Sequence, residues 1–296
     1  MNHKYILITA ARNEEAYIEK TINSVISQSV LPIKWIIVSD ASVDRTDEIV
    51  ESYVKEHSFI QFEKSSGDKE RNFGSKAKAI MFAYSLTKEL NFDYIGNLDA
   101  DISFESDYYK NLLDRVSSDK QLGIAGGMRF DFFRGKFKKV HCAPDSVGGP
   151  FQFFRKECFE QVGGYKSLLF GGIDIVAEVT AKMYGWKVQP YSDLTLYHHR
   201  RTGSGGDNLL KNYAYQGFKL HSLGYNSISV LYKFSRLLFE KPIFVGFLTS
   251  LSAYYLAKIK KNKIQVSEEF VKHLNNEQKE KMKFVFQKVF SKFFSK

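Results

Sequence analysis

The chain has 296 residues, of which 44% are hydrophobic, and a formal net charge of +10. This size and composition argue for a folded protein with one large domain, alone or with a small appendage, and against a disordered chain. Two cysteines, Cys142 and Cys158, are too few for a disulfide framework and form no CxxC metal motif, which suits a reducing compartment. The short apolar run at 5–11 lacks a signal-peptide pattern, so we expect a cytoplasmic protein.

Strand-like and helix-like segments alternate through the first hundred residues. The pattern predicts strands at 4–9, 35–39, 60–64 and 93–98, separated by helices at 15–28, 45–57 and 74–90. Such alternation is typical of βαβ units and predicts an α/β fold with a Rossmann-like, mainly parallel sheet flanked by helices. After residue 123 the pattern is mixed, with short strands, glycine pairs and a helix near 173–184.

The first strand ends in Ala11-Arg12-Asn13-Glu14-Glu15. Helix capping explains Asn13 and the two glutamates, because side-chain oxygens and negative charge are favourable at a helix N-terminus. It does not explain Arg12, which lies at the mouth of a strand, where open α/β sheets bind their ligands.

Two further polar turns follow. In Ser39-Asp40-Ala41-Ser42-Val43-Asp44, Asp40 can accept hydrogen bonds from the imide of uracil or from ribose, whereas Asp44 fits the role of a helix cap. In the loop and helix start at 70–79, Lys76 or Arg71 can meet a diphosphate or a base.

Asp99-Ala100-Asp101 directly follows the strand at 93–98. Two carboxylates at the carboxyl end of a strand can hold a divalent cation, and their hard oxygens suit Mg²⁺ or Mn²⁺. Taken alone the motif fits a turn or a helix cap equally well.

The last third of the chain is apolar and basic. Residues 242–257 carry no charge, but sixteen residues fall short of the roughly 20 that span a bilayer, which favours an interfacial, re-entrant or protein-buried helix. Residues 258–296 hold 11 Lys and 4 Glu, so seven of the ten net positive charges lie there. Helical spacing at 279–296 aligns six apolar side chains: Met282, Val285, Phe286, Val289, Phe290 and Phe293.

We interpret this tail as a basic amphipathic helix on a membrane surface; the alternative is a terminal helix packed on its own domain or on a partner. The charge excess lies among phenylalanines of a terminal helix and not in a groove-shaped patch, so nucleic acid is not an expected partner.

Taken in order, these turns resemble family 2 of the nucleotide-sugar-dependent glycosyltransferases, which have the GT-A fold, across about residues 4–205. The matching segments are Ala11 to Glu15, Ser39 to Asp44, Leu98-Asp99-Ala100-Asp101, and the glycine-containing segment 148–165. The resemblance implies a GT-A domain over 1–230, with a nucleotide-sugar half at 1–125 and an acceptor half at 126–230. Residues 231–296 would then form a helical, basic, membrane-associating extension.

The resemblance also implies roles for individual residues. Asp40 would bind the nucleobase, Asp99 would approach ribose and metal, and Asp101 would coordinate Mg²⁺ or Mn²⁺ on the diphosphate, with His198, preferred over His199, as a third ligand. The metal would neutralise the departing UDP. The expected nucleotide-sugar-binding residues are Ala11, Arg12, Glu14, Asp40, Arg71, Lys76, Asp99, Ala100 and Arg200.

A base is needed to deprotonate the acceptor hydroxyl. The family commonly has a Glu-Asp pair about seventy residues after Asp-x-Asp, and here Ile173 replaces the Glu while Asp174 keeps the carboxylate. Asp174 is therefore the expected catalytic residue; the alternative is a helix cap. Glu178, one helical turn later, is the second candidate.

The resulting hypothesis is an inverting glycosyltransferase that moves a sugar from a UDP-sugar, or another nucleotide diphosphate sugar, to a saccharide or lipid-linked acceptor. It would act in bacterial surface-polysaccharide or glycolipid assembly, peripheral or monotopic at the inner face of the cell membrane. One alternative is a sugar-phosphate nucleotidyltransferase, although residues 10–13 lack the glycines of its phosphate loop. Another is a membrane-attached protein that binds nucleotide sugars without turnover.

Overall fold

The computed structural model describes residues 3–65, 73–140, 142–200, 208–240 and 242–294. The chain forms two compact units, Met1–Ser204 and Gly205–Lys296. A division of function at residue 230 stays a prediction.

The first unit is an α/β layer structure around one sheet. Its strands are β1 (Tyr5–Ala11), β2 (Lys34–Asp40), β3 (Ile60–Ser65), β4 (Tyr94–Asn97), β5 (Ile102–Phe104), β6 (Leu122–Phe133), β7 (Lys136–Lys139), β8 (Phe153–Arg155) and β9 (Lys187–His198). Its helices are α1 (Ile18–Ile26), α2 (Thr46–Glu56), α3 (Phe73–Ser85), α4 (Tyr108–Ser118), α5 (Lys156–Val162) and α6 (Ile173–Met183), with a 3₁₀ turn at Gly149–Phe151. The strand order is β3-β2-β1-β4-β8-β6-β9-β5, and β7 pairs with β6.

One half of this sheet is parallel. The strands β3, β2, β1 and β4 run in the same direction, with Ile8 opposite both Ile36 and Asn97. β1 and β2 are buried along almost their whole length, as expected for parallel strands covered on both faces. Because β1, β2 and β4 end at the same edge, the three polar turns that follow them meet there.

The other half of the sheet contains antiparallel pairs. β8 is antiparallel to β4 and β6, and β5 is antiparallel to β9, whereas β6 and β9 are parallel. β6 and β7 form a hairpin through Arg134 and Gly135, which both have positive φ, as a tight two-residue turn requires. The predicted α/β class is correct; the mainly parallel arrangement holds for β3-β2-β1-β4, and long-range pairing makes the second half mixed.

The second unit is helical in its described part. It contains α7 (Leu209–Ser222), α8 (Ser227–Ser235), a 3₁₀ turn at Arg236–Leu238, α9 (Val245–Ile259) and α10 (Glu268–Phe294). α7 and α9 pack with their backbones close together: a Cβ added to Gly217 would lie 2.1 Å from the Ser250 carbonyl oxygen. The Ser250 hydroxyl donates to the Tyr213 carbonyl at 2.9 Å across the same contact.

The uncharged stretch at 242–257 therefore supplies most of α9, and the predicted tail helix is the second half of the longer α10. Within the described residues, no helix combines the length and the apolar character needed to cross a membrane.

Candidate active site

The turns after β1 and β2 are linked by hydrogen bonds. The backbone N–H groups of Glu14 and Glu15 donate to the side chains of Thr46 and Asp44, at 2.7 and 3.0 Å. Asn13 has a φ of 55°, and its Oδ1 accepts a hydrogen bond from the Val43 N–H, in the turn after β2, at 2.9 Å. Because these groups hold one turn to the other, the first helix begins three residues later than predicted, and Asp44 has a local structural role.

Arg12 and Asp40 meet at the ends of the adjacent strands β1 and β2. Their Nη1 and Oδ2 atoms are 3.5 Å apart, and the Asp40 side chain is buried. Ala11, the last residue of β1, lies opposite Ser39 and is buried, as is Ala100 in the turn after β4. These small residues help to form the floor of the edge at which Arg12 and Asp40 pair.

Lys76 reaches the end of β4 from α3. Its Nζ lies 2.5 Å from Oδ1 of Asp99, and the Asp99 backbone N–H donates to the Pro150 carbonyl at 2.8 Å. The structure thus brings two predicted site residues, Lys76 and Asp99, into direct contact. The prediction for Arg71 falls outside the described residues.

Asp101 is the most buried carboxylate of this edge. It is 1% exposed, and its Oδ2 is 2.5 Å from Nε of Arg200 and 3.1 Å from Nε2 of His198. Burial raises the pKa of this carboxyl, but the hydrogen bond from His198 and the nearby cations outweigh burial and lower it. The second arm of Arg200, Nη2, contacts Oε1 of Glu14, so Arg200 joins the turn after β1 to the Asp-x-Asp turn.

Burial has the larger effect on Glu14. It raises the pKa of the Glu14 carboxyl to about 7, although Arg200 opposes the shift. The carboxylates along the edge thus face basic side chains that come from other elements of the fold: Arg12, Lys76, His198 and Arg200.

His198 also has a partner that the sequence analysis missed. Its Nδ1 is 3.0 Å from Oδ1 of Asp131 on β6, and the same oxygen is 2.9 Å from Nε of Arg129. The bonds to Asp101 and Asp131 outweigh burial and raise the pKa of His198 to about 9. His199 instead contacts the Ser103 hydroxyl at 2.8 Å. An acidic residue inside the aromatic run 130–133 was the available signal for Asp131.

The edge fits a divalent cation that protein atoms coordinate only in part. Oδ1 of Asp101 and Oε2 of Glu14 are buried and accept no hydrogen bond from any described residue. Among the described residues, no three His, Cys, Asp or Glu side chains form a ready metal cage. Mg²⁺ and Mn²⁺ suit such an arrangement, because Mg²⁺ in particular usually binds one or two carboxylates together with substrate phosphates and water.

Asp174 lies in the first turn of α6, after two glycines with positive φ, Gly171 and Gly172. The N-cap of α6 is Gly172, so Asp174 is not the cap. Its carboxylate lies against Gly149: a Cβ at that position would be 2.8 Å from Oδ2 of Asp174. Pro150, the next residue, accepts the bond from Asp99, so one short turn contacts the predicted base and the Asp-x-Asp motif.

Glu178 holds this turn in place. It is 5% exposed and accepts hydrogen bonds from the Ser146 hydroxyl (2.8 Å), the Val147 N–H (2.6 Å) and the Gln152 amide (3.1 Å). Burial raises the pKa of Glu178 to about 7. Since both carboxylate oxygens accept hydrogen bonds, this second candidate for the base has a structural role. Gln152 in turn accepts a hydrogen bond from the Tyr165 hydroxyl at 2.7 Å.

Comparison with known proteins identifies the family. The model of glycosyl transferase family 2 matches residues 6–164, which include the turns after β1 and β2 and the Asp-x-Asp motif. The chain belongs to this family. A curated relative, the poly-β-1,6-N-acetyl-D-glucosamine synthase of Staphylococcus epidermidis, is 24% identical over 212 residues. That alignment covers 65% of this chain and 47% of the relative, so the chain spans about half the length of the synthase.

Solved structures share the fold at low sequence identity. A Pyrobaculum calidifontis mannosyltransferase with GDP-Man and Mn²⁺ has a TM-score of 0.56 and 15% identity, covering 92% of this chain and 78% of its own. S. aureus TarS with UDP-GlcNAc scores 0.55 at 15% identity, covering 90% and 77%. GalNAc-T7 with UDP, GalNAc and Mn²⁺ scores 0.58 at 15%, covering 89% and 55%. The predicted GT-A fold is confirmed.

Proposed function

We propose that this protein transfers a sugar from a nucleotide diphosphate sugar to an acceptor hydroxyl, with inversion at the anomeric carbon. A UDP-sugar is the preferred donor in this proposal. One observation carries the proposal. Asp40 ends β2, and Asp99 and Asp101 follow the end of β4, so all three lie at the edge where these two strands flank β1. Each of the three faces a basic side chain from another element.

The donor would bind along this edge. Asp40 would accept the imide N–H of the base, as a buried carboxylate at a strand end is suited to do. Lys76 and Arg200 would supply charge-assisted hydrogen bonds to the diphosphate, Arg200 through its planar guanidinium. UDP-GlcNAc is the first donor to test, because the TarS complex contains it and the staphylococcal relative is named for an N-acetylglucosamine polymer.

The cation would be held by Asp101 and Asp99, with His198 as a third ligand. Two neighbours in the fold comparison contain Mn²⁺, and Oδ1 of Asp101, which accepts no hydrogen bond from any described residue, is suited to receive a cation. Bound Mg²⁺ or Mn²⁺ would stabilise the negative charge of the departing nucleoside diphosphate.

Asp174 would remove the proton from the acceptor hydroxyl. Its contact with Gly149 puts it beside the turn that bonds Asp99, so the proposed base and the proposed donor site would contact the same turn. A base that deprotonates the acceptor hydroxyl would let it attack the anomeric carbon directly, and such a single displacement would invert that carbon.

The test is sugar release and transfer across a panel of UDP- and GDP-sugars, with Mn²⁺, with Mg²⁺ and with chelator. We expect turnover of a UDP-sugar that chelator abolishes and that Asp101→Asn reduces by about 10²- to 10³-fold. If no nucleotide sugar binds or turns over with either ion, the proposal fails. Binding without turnover in the wild type would favour the non-catalytic alternative.

We also propose that the second unit contacts the inner face of the cell membrane, where a lipid-linked acceptor would be found. Leu248 and Ile259 lie on one face of α9 and are 57% and 77% exposed, and Phe244, directly before the helix, is 53% exposed. Residues 241–267 contain five lysines and no acidic residue. An apolar helical face beside basic residues suits an anionic bilayer surface.

Vesicle flotation tests this contact. The wild type should float with anionic vesicles and not with neutral ones, and replacing Phe244, Leu248 and Ile259 together by Ser should release it. Leu31→Ser, an exposed leucine of the first unit, is the matched control and should leave flotation unchanged. Equal flotation of the triple variant and the wild type would count against the α9 surface.

A further inference from the structure

His198 is held on both sides by carboxylates. Its Nε2 contacts Oδ2 of Asp101 at 3.1 Å and its Nδ1 contacts Oδ1 of Asp131 at 3.0 Å. Both ring nitrogens are therefore engaged, one on the side of the Asp-x-Asp motif and one away from it. The two contacts have different consequences, because only Asp101 belongs to the proposed metal site.

The position of Asp131 follows from the pairing of β6 with β9. Asp131 and His198 are directly opposite each other in this parallel pair, near the carboxyl end of both strands. Both residues are buried, at 8% and 5% exposure. Arg129, two residues earlier on the same face of β6, contacts the same Asp131 oxygen at 2.9 Å. The Asp131 carboxylate is thus held in place by its position on β6, by burial and by its contact with Arg129.

We propose that Asp131 is a positioning residue for His198, and that it prepares Nε2 to ligate Mg²⁺ or Mn²⁺ beside Asp101. A carboxylate that accepts Nδ1–H fixes the tautomer, so that the lone pair of the neutral ring is on Nε2. It also fixes the rotation of the ring about χ2. This inference rests on the proposed function, since it concerns the metal of that same site.

A purely structural role explains Asp131 less well. Burying a carboxylate costs free energy, and well-packed apolar residues often replace buried ion pairs with little loss or some gain in stability. An orienting role would account for a carboxylate at the one position of β6 that faces His198.

The experiment measures Mn²⁺ affinity of the full chain in the presence of UDP, from the free-Mn²⁺ EPR signal. Asp131→Ala removes the acceptor and should weaken Mn²⁺ binding by about 10- to 100-fold. Asp131→Asn keeps an oxygen that can accept Nδ1–H and has nearly the same shape, so it should recover part of that loss. Asp193→Ala, which removes another ion-paired aspartate of the sheet, is the control and should bind Mn²⁺ like the wild type.

A second measurement covers the case in which Asp131→Ala does not fold. Nitrogen-15 NMR of the histidine ring, with Mg²⁺ and UDP present, should show His198 with the proton on Nδ1 in the wild type and a smaller fraction of that tautomer in Asp131→Asn. Wild-type Mn²⁺ affinity in both variants, or an Nε2–H tautomer in the wild type, overturns this inference alone. A wild-type protein that binds no Mn²⁺ overturns the proposed metal site and this inference with it.

Discussion

The edge with Asp99 and Asp101, which is the proposed donor edge, and the turn that Glu178 holds, which is the proposed acceptor-side turn, keep their carboxylates in place in different ways. At the donor edge, Asp99 faces Lys76 and Asp101 faces Arg200. At the acceptor-side turn, Glu178 is held by a hydroxyl, a backbone N–H and an amide, and Gln152 links it to Tyr165.

This difference predicts how each region responds to ligand binding and to mutation. Ion pairs at the edge can exchange partners when a metal and a diphosphate bind, because the incoming charged groups can replace the partner that each side chain has in the pair. Neutral hydrogen bonds around a buried group hold one geometry and gain nothing from such an exchange. We therefore expect the edge to respond to mutation in donor binding, and the turn to respond in chemistry and stability.

Asp174→Asn should have the largest effect. Loss of the base should lower the rate of transfer by about 10²- to 10⁴-fold, because the acceptor hydroxyl keeps its proton. Binding of the nucleotide sugar, measured by calorimetry, should stay the same, since the proposed role of Asp174 is to act on the acceptor. Glu160→Gln, an exposed carboxylate of α5, is the control. A variant that transfers at the wild-type rate would remove Asp174 from the chemistry.

Glu178→Gln should change the pH dependence of stability. Because burial raises the pKa of Glu178 from 4.5 to about 7, the folded protein keeps a proton that the unfolded chain releases above pH 4.5. The stability contributed by the protonated group is present at low pH and is lost as the pH rises through about 7, by about 2 to 3 kcal/mol between pH 5 and 8. Glu178→Gln should lack this loss.

Urea unfolding of both proteins at pH 5 and pH 8 measures the difference, in which the contributions of other titrating groups cancel. Glu160→Gln should keep the wild-type dependence. If Glu178→Gln has the same pH dependence as the wild type, Glu178 does not titrate between these values, and the turn is not held by a protonated group at low pH.

Lys76→Met should have the smallest effect and should act on donor binding. Losing a charge-assisted hydrogen bond to the diphosphate should raise the KM for the nucleotide sugar by about tenfold, with a smaller change in kcat. Lys78→Met, an exposed lysine of the same helix, is the matched control. Equal KM values in both variants would show that the Lys76–Asp99 pair has no part in donor binding.

Local sequence determined much of this protein. The turns after β1, β2 and β4 follow from patterns within about ten residues, because strand periodicity and turn chemistry are local properties. The parallel half of the sheet and the family follow from the order of these segments along the chain. Ordering these turns was enough to predict which edge of the sheet holds the carboxylates, and the structure brings Asp40, Asp99 and Asp101 to that edge.

Only the tertiary structure decided the partners of those carboxylates. Arg200 bonds Glu14 across 186 residues, and Asp131 meets His198 across 67. The mixed half of the sheet and the structural role of Glu178 depend on pairings of the same kind. Contacts between distant segments are set by how whole strands and helices pack, and no local pattern contains that information.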